Sequence, residues 1–135
     1  MSNRSVISFH RDTRSGLAPY LQIVQQVKEA SRLGLIEPGD QLPTVREVVT
    51  QLAVTPNTVL KAYRRLEYEG LVEGRPGQGT FVVGTMGGPA PGTYPRLRRK
   101  LLPWLREAQA AGLDDEGILA LVNNTLRSEA EGRVA

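Results

Sequence analysis

The hydrophobic pattern of residues 43–69 predicts two helices joined by a tight corner. Thr44 and Glu47 have the spacing of a capping box, in which each side chain bonds the other's backbone amide and marks a helix start. Thr55 followed by Pro56 places an N-cap before a proline at the first helical position, which marks the second start. Each helix carries apolar residues at i, i+3, i+4 and i+7, a single inward-facing stripe. The stripes are Val45, Val48, Val49 and Leu52 in the first helix and Val59, Ala62, Tyr63 and Leu66 in the second.

The outer face of the second helix is polar and basic. Asn57, Lys61, Arg64 and Tyr68 follow one another at helical spacing, and no acidic residue interrupts them. Two short helices with such a stripe on the second are typical of a helix-turn-helix, whose second helix enters the DNA major groove. Because exposed helix faces are commonly charged, the stripe alone favours DNA binding and a plain solvated face about equally.

The flanking segments complete the pattern of a winged helix-turn-helix. A polar segment, with a short extended arm at Ser5–Phe9 and a disordered extreme end, precedes a helix predicted from Tyr20 to Leu33. Glu37–Asp40 is a turn, followed by room for only a very short strand. Beyond the second helix of the corner, extended residues on both sides of Arg75–Gly79 predict a hairpin with an irregular basic tip, the wing.

The wing tip offers groups that would reach phosphates or a minor groove. These groups are the side chains of Arg75 and Gln78 and the backbone amides of Gly77 and Gly79. Tight hairpins use glycine for positive φ whether or not anything binds, so turn chemistry explains both glycines equally well.

The C-terminal part is predicted to be a linker, Thr85–Pro95, followed by two short amphipathic helices. The linker carries three glycines and three prolines. The first helix covers Arg96–Ala111, and Pro103 predicts either a kink or a helix that begins near Leu102. The second begins with acidic residues 114–116 and ends near Arg127. The apolar residues of both helices exceed what two helices bury against each other, so we expect a homodimer interface. Its residues are Leu97, Leu101, Leu102, Trp104, Leu105, Ile118, Leu121, Val122 and Leu126.

Composition excludes several classes of function. The 135 residues include no cysteine, which excludes disulfides and thiolate chemistry, and no apolar run reaches the length of a membrane span. The only histidine is His10, and no carboxylate pair is spaced for acid/base work, so we expect no enzyme activity, cofactor or metal. The net charge of +3 is compatible with a polyanion partner. The basic side chains of Arg96, Arg98, Arg99 and Lys100 either follow the DNA backbone or, as we favour, form a solvated face. We expect a cytoplasmic protein.

Three phrases of the sequence resemble the GntR family of bacterial transcriptional regulators: GLIEPGDQLPTVREV, LAVTPNTVLKAYRRLEYEGLV and GRPGQGTFV. The short tail is similar to that of the YtrA-type subgroup, in which it mediates dimerisation. The resemblance implies a mainly α protein with a small β wing: a winged helix-turn-helix DNA-binding domain at 1–84, a linker at 85–95 and a helical dimerisation tail at 96–135. The implied function is a repressor that binds an inverted-repeat operator on double-stranded DNA as a homodimer, with its effector, if any, undefined.

The resemblance also implies which residues contact DNA. The family's P-S-x-R-E pattern aligns with Thr44 and Arg46, and Pro56 departs from members that carry an arginine there. The alternative is a winged helix used for protein contact, which would need an apolar recognition face, and only Leu60 at its edge favours that. The full set of predicted DNA-binding residues is Thr44, Arg46, Thr55, Asn57, Thr58, Lys61, Arg64, Arg75, Gly77, Gln78 and Gly79.

Overall fold

The structure, a computed structural model, describes residues 7–88 and 92–134. These residues form two compact units that divide between residues 90 and 91. The first unit is a winged helix-turn-helix, as predicted, and the second is helical. The elements within the described ranges are α1 Pro19–Arg32, α2 Val45–Leu52, α3 Pro56–Tyr68, β1 Val72–Arg75, β2 Gly79–Val82, α4 Thr93–Ala110 and α5 Asp115–Val134.

Helix α3 lies at the centre of the first unit and packs against α1, α2 and β1. Its predicted inward stripe is confirmed, because Val59, Ala62 and Leu66 are fully buried and Tyr63 is 6% exposed. Burying a large apolar side chain stabilises the folded state by about 1.5–3 kcal/mol. The remaining buried core comes mainly from α1, α2 and the wing: Ile23, Val24, Val27, Ala30, Ile36, Leu42, Val48, Leu52, Leu71, Val72 and Val82.

The predicted capping box at the start of α2 is confirmed. The Thr44 hydroxyl accepts from the Glu47 amide at 3.1 Å, and Glu47 accepts in turn from the Thr44 amide at 2.9 Å. The helix ends at Ala53, which adopts the left-handed conformation with φ 54°. Ala53 is exposed at this end of the helix.

The wing is more regular than the sequence suggested. Strands β1 and β2 pair antiparallel up to Arg75 opposite Gly79, so only Pro76–Gln78 form the connection and the predicted irregular tip is too long by two residues. The very short strand expected after the Glu37–Asp40 turn is present as a single bridge between Gln41 and Phe81. The wing is therefore a small sheet attached to the segment that precedes α2.

The segment before α1 is held by glutamine side chains instead of regular structure. Phe9 is only 5% exposed and belongs to the core, which the sequence analysis missed. Gln26 pairs with both the amide and the carbonyl of His10, and Gln22 does the same with Asp12. The predicted disorder of the extreme end, and part of the predicted Ser5–Phe9 arm, lie outside the described residues.

Both helices of the second unit are longer than predicted. Helix α4 begins at Thr93 and runs through Pro103, so a helix that begins near Leu102 is wrong. The earlier start places Pro95 in the first turn, where a missing amide costs nothing. The described residues of the predicted linker are 85–88 and 92–95, since 89–91 lie outside.

Helix α5 starts as predicted, with the Asp114 carboxylate accepting from the Gly117 amide at 2.8 Å. It does not end near Arg127 but continues to Val134. The additional residues include Glu129, Ala130 and Glu131, which are good helix formers, and no proline or helix cap interrupts them.

The Tyr63 hydroxyl connects α3 to the start of α2, and removing it should destabilise the fold. It donates a buried hydrogen bond to the Pro43 carbonyl at 2.7 Å. Tyr63→Phe leaves that carbonyl unpaired, so we expect the free energy of unfolding to fall by about 1–3 kcal/mol in urea denaturation. Tyr68→Phe is the matched control, because Tyr68 is 89% exposed and should change little. Equal stability of the two variants would contradict this role.

The burial of Tyr63 also makes the stability depend on pH in the alkaline range. Burial, with a smaller effect of Glu47, raises the pKa of Tyr63 above its ordinary value of 10.0. A raised pKa in the folded state means that the contribution is fully present below about pH 10 and is lost as the pH rises further. Comparing alkaline unfolding of the wild type and Tyr63→Phe isolates this contribution, which the variant should lack.

Candidate nucleic-acid interface

The amino end of α3 is organised by its cap. Thr55 has an extended backbone, and its hydroxyl accepts from the Thr58 amide at 3.3 Å. The hydroxyls of Thr55 and Thr58 are also 3.1 Å apart, and Asn57 beside them is exposed. Pro56 fills the first helical position, where the missing amide has no intrahelical role. Three predicted contact residues therefore lie together at a helix end whose amides attract anions.

The basic stripe of α3 faces solvent, as predicted. Asn57, Lys61, Arg64 and Tyr68 are all exposed, opposite the buried face of the helix. The Lys61 ammonium lies 4.1 Å from the centroid of the Tyr20 ring on α1. Such a contact between a cation and an aromatic face contributes about 0.5–1 kcal/mol at an exposed site. The contact gives this long side chain a defined position, which its spacing in the sequence could not indicate.

Arg46 adds a third cation from the first turn of α2. It is exposed. Because Arg46 lies between the capping-box residues Thr44 and Glu47, the cap fixes where its backbone lies. Neither Arg46, Lys61 nor Arg64 forms a salt bridge within the described residues; the salt bridges there are Lys28–Glu69, Arg65–Glu69 and Arg75–Glu73. These three cations are thus available to an external anion.

The acidic side chains of Glu67, in α3, and Glu69, at its C-cap, form bonds within the first unit. Glu69 accepts from Lys28 of α1 at 2.6 Å and from Arg65 at 2.7 Å, and these bonds lower the pKa of Glu69. Glu67 accepts from the Gly74 amide of the wing at 3.2 Å. Both carboxylates therefore attach α3 to its neighbours, and the sequence analysis did not find the Glu67 contact because it joins distant segments.

The wing and the start of α2 enclose an open cleft of about 600 Å³. Arg75 is less available than predicted, since its Nε donates to Glu73 at 2.8 Å and its guanidinium lies 4.5 Å from the Phe81 ring centroid. The Gln78 carbonyl accepts from the Gln41 side chain at 3.1 Å. The cleft brings together five predicted contact residues, Thr44, Arg75, Gly77, Gln78 and Gly79, with Glu67, Gly74, Pro76 and Thr80.

Other kinds of site have no counterpart in the described part of the chain. No group of histidine, cysteine, aspartate and glutamate side chains there is arranged to hold a metal ion. Among the same residues, no helix has the length and apolar character that crossing a bilayer requires.

Comparison with known proteins places the chain in a family. The family described as "Bacterial regulatory proteins, gntR family" matches residues 19–82. The solved structure of "YtrA from Sulfolobus acidocaldarius, a GntR-family transcription factor" is 30% identical, with a TM-score of 0.51, and the match covers 78% of this chain and 99% of that one. This chain belongs to the GntR family.

Two further relatives match the winged unit of this GntR protein. The HTH-type transcriptional repressor YtrA of Bacillus subtilis (strain 168) is 49% identical over 71 residues, covering 53% of this chain and 55% of the relative. The structure of "AraR(DBD) in complex with operator ORX1" is 28% identical, with a TM-score of 0.50, and the match covers 59% of this chain and 99% of that one. The chain spans only 53% to 59% of the length of three curated relatives that it matches.

The main contribution of the Thr55 cap should be to the stability of the fold and not to DNA binding. Thr55→Ala removes the acceptor for the Thr58 amide, so we expect the free energy of unfolding to fall by about 1 kcal/mol. Thr55→Ser keeps the hydroxyl and serves as the control in the same thermal or urea unfolding experiment. If Thr55→Ala unfolds like the wild type but binds DNA more weakly, the hydroxyl acts on the ligand and not on the helix.

Proposed function

We propose that this chain is a sequence-specific transcriptional regulator that binds double-stranded DNA, and that it acts as a repressor on an inverted-repeat operator as a homodimer. The observation that carries the proposal is the exposed cationic face formed by Arg46, Lys61 and Arg64. Because the opposite face of α3 is buried, this helix presents Lys61 and Arg64 from a fixed position, and Arg46 lies in the first turn of α2. A short helix with this arrangement fits the major groove, where side chains reach base edges.

Each part of the face suits a different contact. Arg46 and Arg64 have the planar guanidinium that pairs with guanine in a bidentate manner, and Asn57 has the amide that pairs with adenine. Thr55 and Thr58 at the helix start suit a phosphate. The wing cleft, lined by glycine amides, suits the DNA backbone beside the groove. The names of two relatives, a repressor and a domain bound to an operator, support the same function.

The alternative, a winged helix that contacts another protein, has weaker support. It requires an apolar patch on the recognition helix. Leu60 is 37% exposed at the edge of that face, and Tyr68 is 89% exposed at its end, but the cations lie between and around them. The charge of the face favours a polyanion.

Arginine substitutions should separate base contacts from phosphate contacts. We expect Arg46→Ala or Arg64→Ala to cost about 1–3 kcal/mol of specific binding if the residue reads a base, with relaxed sequence preference. A residue that contacts only phosphate should weaken binding to all sequences and reduce the salt slope by about one. Fluorescence anisotropy across salt concentrations measures both, on the inverted repeat expected in DNA upstream of the protein's own gene.

The matched control is Arg32→Ala. Arg32 is exposed in the last turn of α1, is not among the predicted contact residues, and should leave specific affinity unchanged. The assignment is refuted if Arg46→Ala and Arg64→Ala both bind as tightly as Arg32→Ala at every salt concentration.

The homodimer is proposed from the apolar surface of the second unit. Within its described residues only Ala108 and Ile118 are nearly buried, at 7% and 8% exposure. An inverted repeat requires two symmetric reading heads, and a self-complementary apolar surface supplies the required twofold symmetry. The large apolar side chains that remain exposed in this unit are Leu97, Leu101, Leu119, Leu121 and Leu126.

Charged substitutions of these leucines should therefore dissociate the dimer without unfolding the subunit. Leu101 and Leu126 are 51% and 59% exposed, so Leu101→Asp and Leu126→Asp disturb little in the isolated chain. We expect monomers by light scattering at micromolar concentration and binding to single half-sites only. Leu35→Asp is the matched control, since Leu35 is 63% exposed in the first unit and should leave the dimer intact. A wild-type monomer, or dimeric tail variants, would refute this interface.

A further inference from the structure

The segment that precedes α2 contacts the wing at its tip. Gln41 bridges to Phe81, and two backbone bonds of 2.8 Å flank this bridge, from the Leu42 amide to Thr80 and from the Val82 amide to Asp40. The backbone pairing does not extend further toward the wing tip, but the Gln41 side chain adds one more hydrogen bond in that direction. Its Nε2 donates to the Gln78 carbonyl at 3.1 Å. The tip is thus attached to a residue outside the hairpin.

The close approach of Gln41 places a requirement on Gly79. A Cβ at position 79 would lie 2.5 Å from the Gln41 Nε2, so a side chain there would push the end of the flexible Gln41 side chain out of its present position. Gly79 also has φ +130°, which L side chains rarely adopt. Gly77 differs, because its φ of +75° favours glycine while a Cβ there would meet nothing within 4 Å. Glycine is therefore favoured at the two tip positions for different reasons. At Gly77 the reason is the backbone conformation alone, and at Gly79 it is the conformation together with the contact with Gln41.

The opposite edge of the hairpin is also attached. The Glu67 carboxylate of α3 accepts from the Gly74 amide of β1 at 3.2 Å. An isolated two-stranded hairpin is marginally stable in water, so attachments on both edges decide how well the tip is ordered. Gln41 supplies the attachment that lies nearest the tip residues, and Glu67 supplies the one nearest the recognition helix.

We propose that Gln41 is a positioning residue that holds the wing tip in the conformation that meets the phosphate backbone of double-stranded DNA. The inference rests on the proposed DNA-binding function. Gln41 orders the peptide between Gln78 and Gly79 before binding, so that the complex does not have to order it. Ordering a segment during association weakens binding, and an attachment that orders it beforehand removes that cost.

The first test measures the wing without DNA. In the full chain, Gln41→Met keeps the side chain's length but removes the donor. We expect backbone NMR order parameters at residues 77–79 to fall from about 0.85 toward 0.6, while those of α1 stay unchanged. Gln25→Met, at an exposed position on α1, is the control and should leave the wing as it is. Unchanged order parameters in Gln41→Met overturn the proposal.

The second test measures operator affinity. We expect Gln41→Met to bind about 2- to 10-fold more weakly than the wild type with an unchanged salt slope, because the same phosphates are contacted once the wing is ordered. If the wild type binds operator and Gln41→Met binds equally well, this inference is wrong while the DNA-binding function stands. If the wild type binds no double-stranded DNA, the proposed function itself is wrong and this role falls with it.

A double-mutant cycle isolates the contact between Gln41 and Gly79. Gly79→Ala adds both φ strain and a clash with Gln41, but in a Gln41→Ala background only the strain remains. We therefore expect Gly79→Ala to reduce operator affinity by a larger factor in the wild-type background. Gly77→Ala should reduce it by the same factor in both backgrounds. Equal factors for Gly79→Ala in the two backgrounds would show that Gln41 does not constrain the tip.

Discussion

The hydrogen bond from Tyr63 to the Pro43 carbonyl fixes the corner on which the first unit depends. The ring of Tyr63 is part of the α3 stripe in the core, while its hydroxyl reaches the residue just before the α2 cap. One side chain therefore connects the middle of α3 to the start of α2. Since Arg46 belongs to α2 and Lys61 and Arg64 belong to α3, the relative placement of the three cations follows from this bond and the packing around it.

The acidic and the basic side chains along α3 have different roles. The carboxylates of Glu67 and Glu69 lie in its second half and bind the wing and α1, so they stabilise the fold and do not oppose the cations on the outer face. Exposed ion pairs such as Lys28–Glu69 contribute little energy individually, but they neutralise acids that would otherwise repel a polyanion.

Local patterns predicted the starts of α2, α3 and α5 and the buried face of α3, because caps and i, i+3, i+4 stripes act within a few residues. The contacts missed by the sequence analysis join distant segments: Phe9 in the core, Glu67 with Gly74, and Gln41 with Gln78. The early end predicted for α5 has another cause, since Arg127 suits a helix terminus but nothing after it stops the helix. Arg75 was predicted to lie in an irregular wing tip and to contact DNA. It is instead the last residue of β1 and forms a salt bridge with Glu73, which the sequence pattern did not indicate.

The winged unit and the helical unit contribute in different ways to the proposed DNA binding. A single head offers the cations Arg46, Lys61 and Arg64 and a small wing, so its proposed contacts with one half-site are few. Joining two heads makes the second binding event intramolecular, which raises the overall affinity by orders of magnitude without new contacts. That gain is realised only if each head is rigid and correctly spaced. The two proposals, order at the wing tip and dimerisation through exposed leucines, are therefore complementary, because the first would improve binding to each half-site and the second would combine the half-sites.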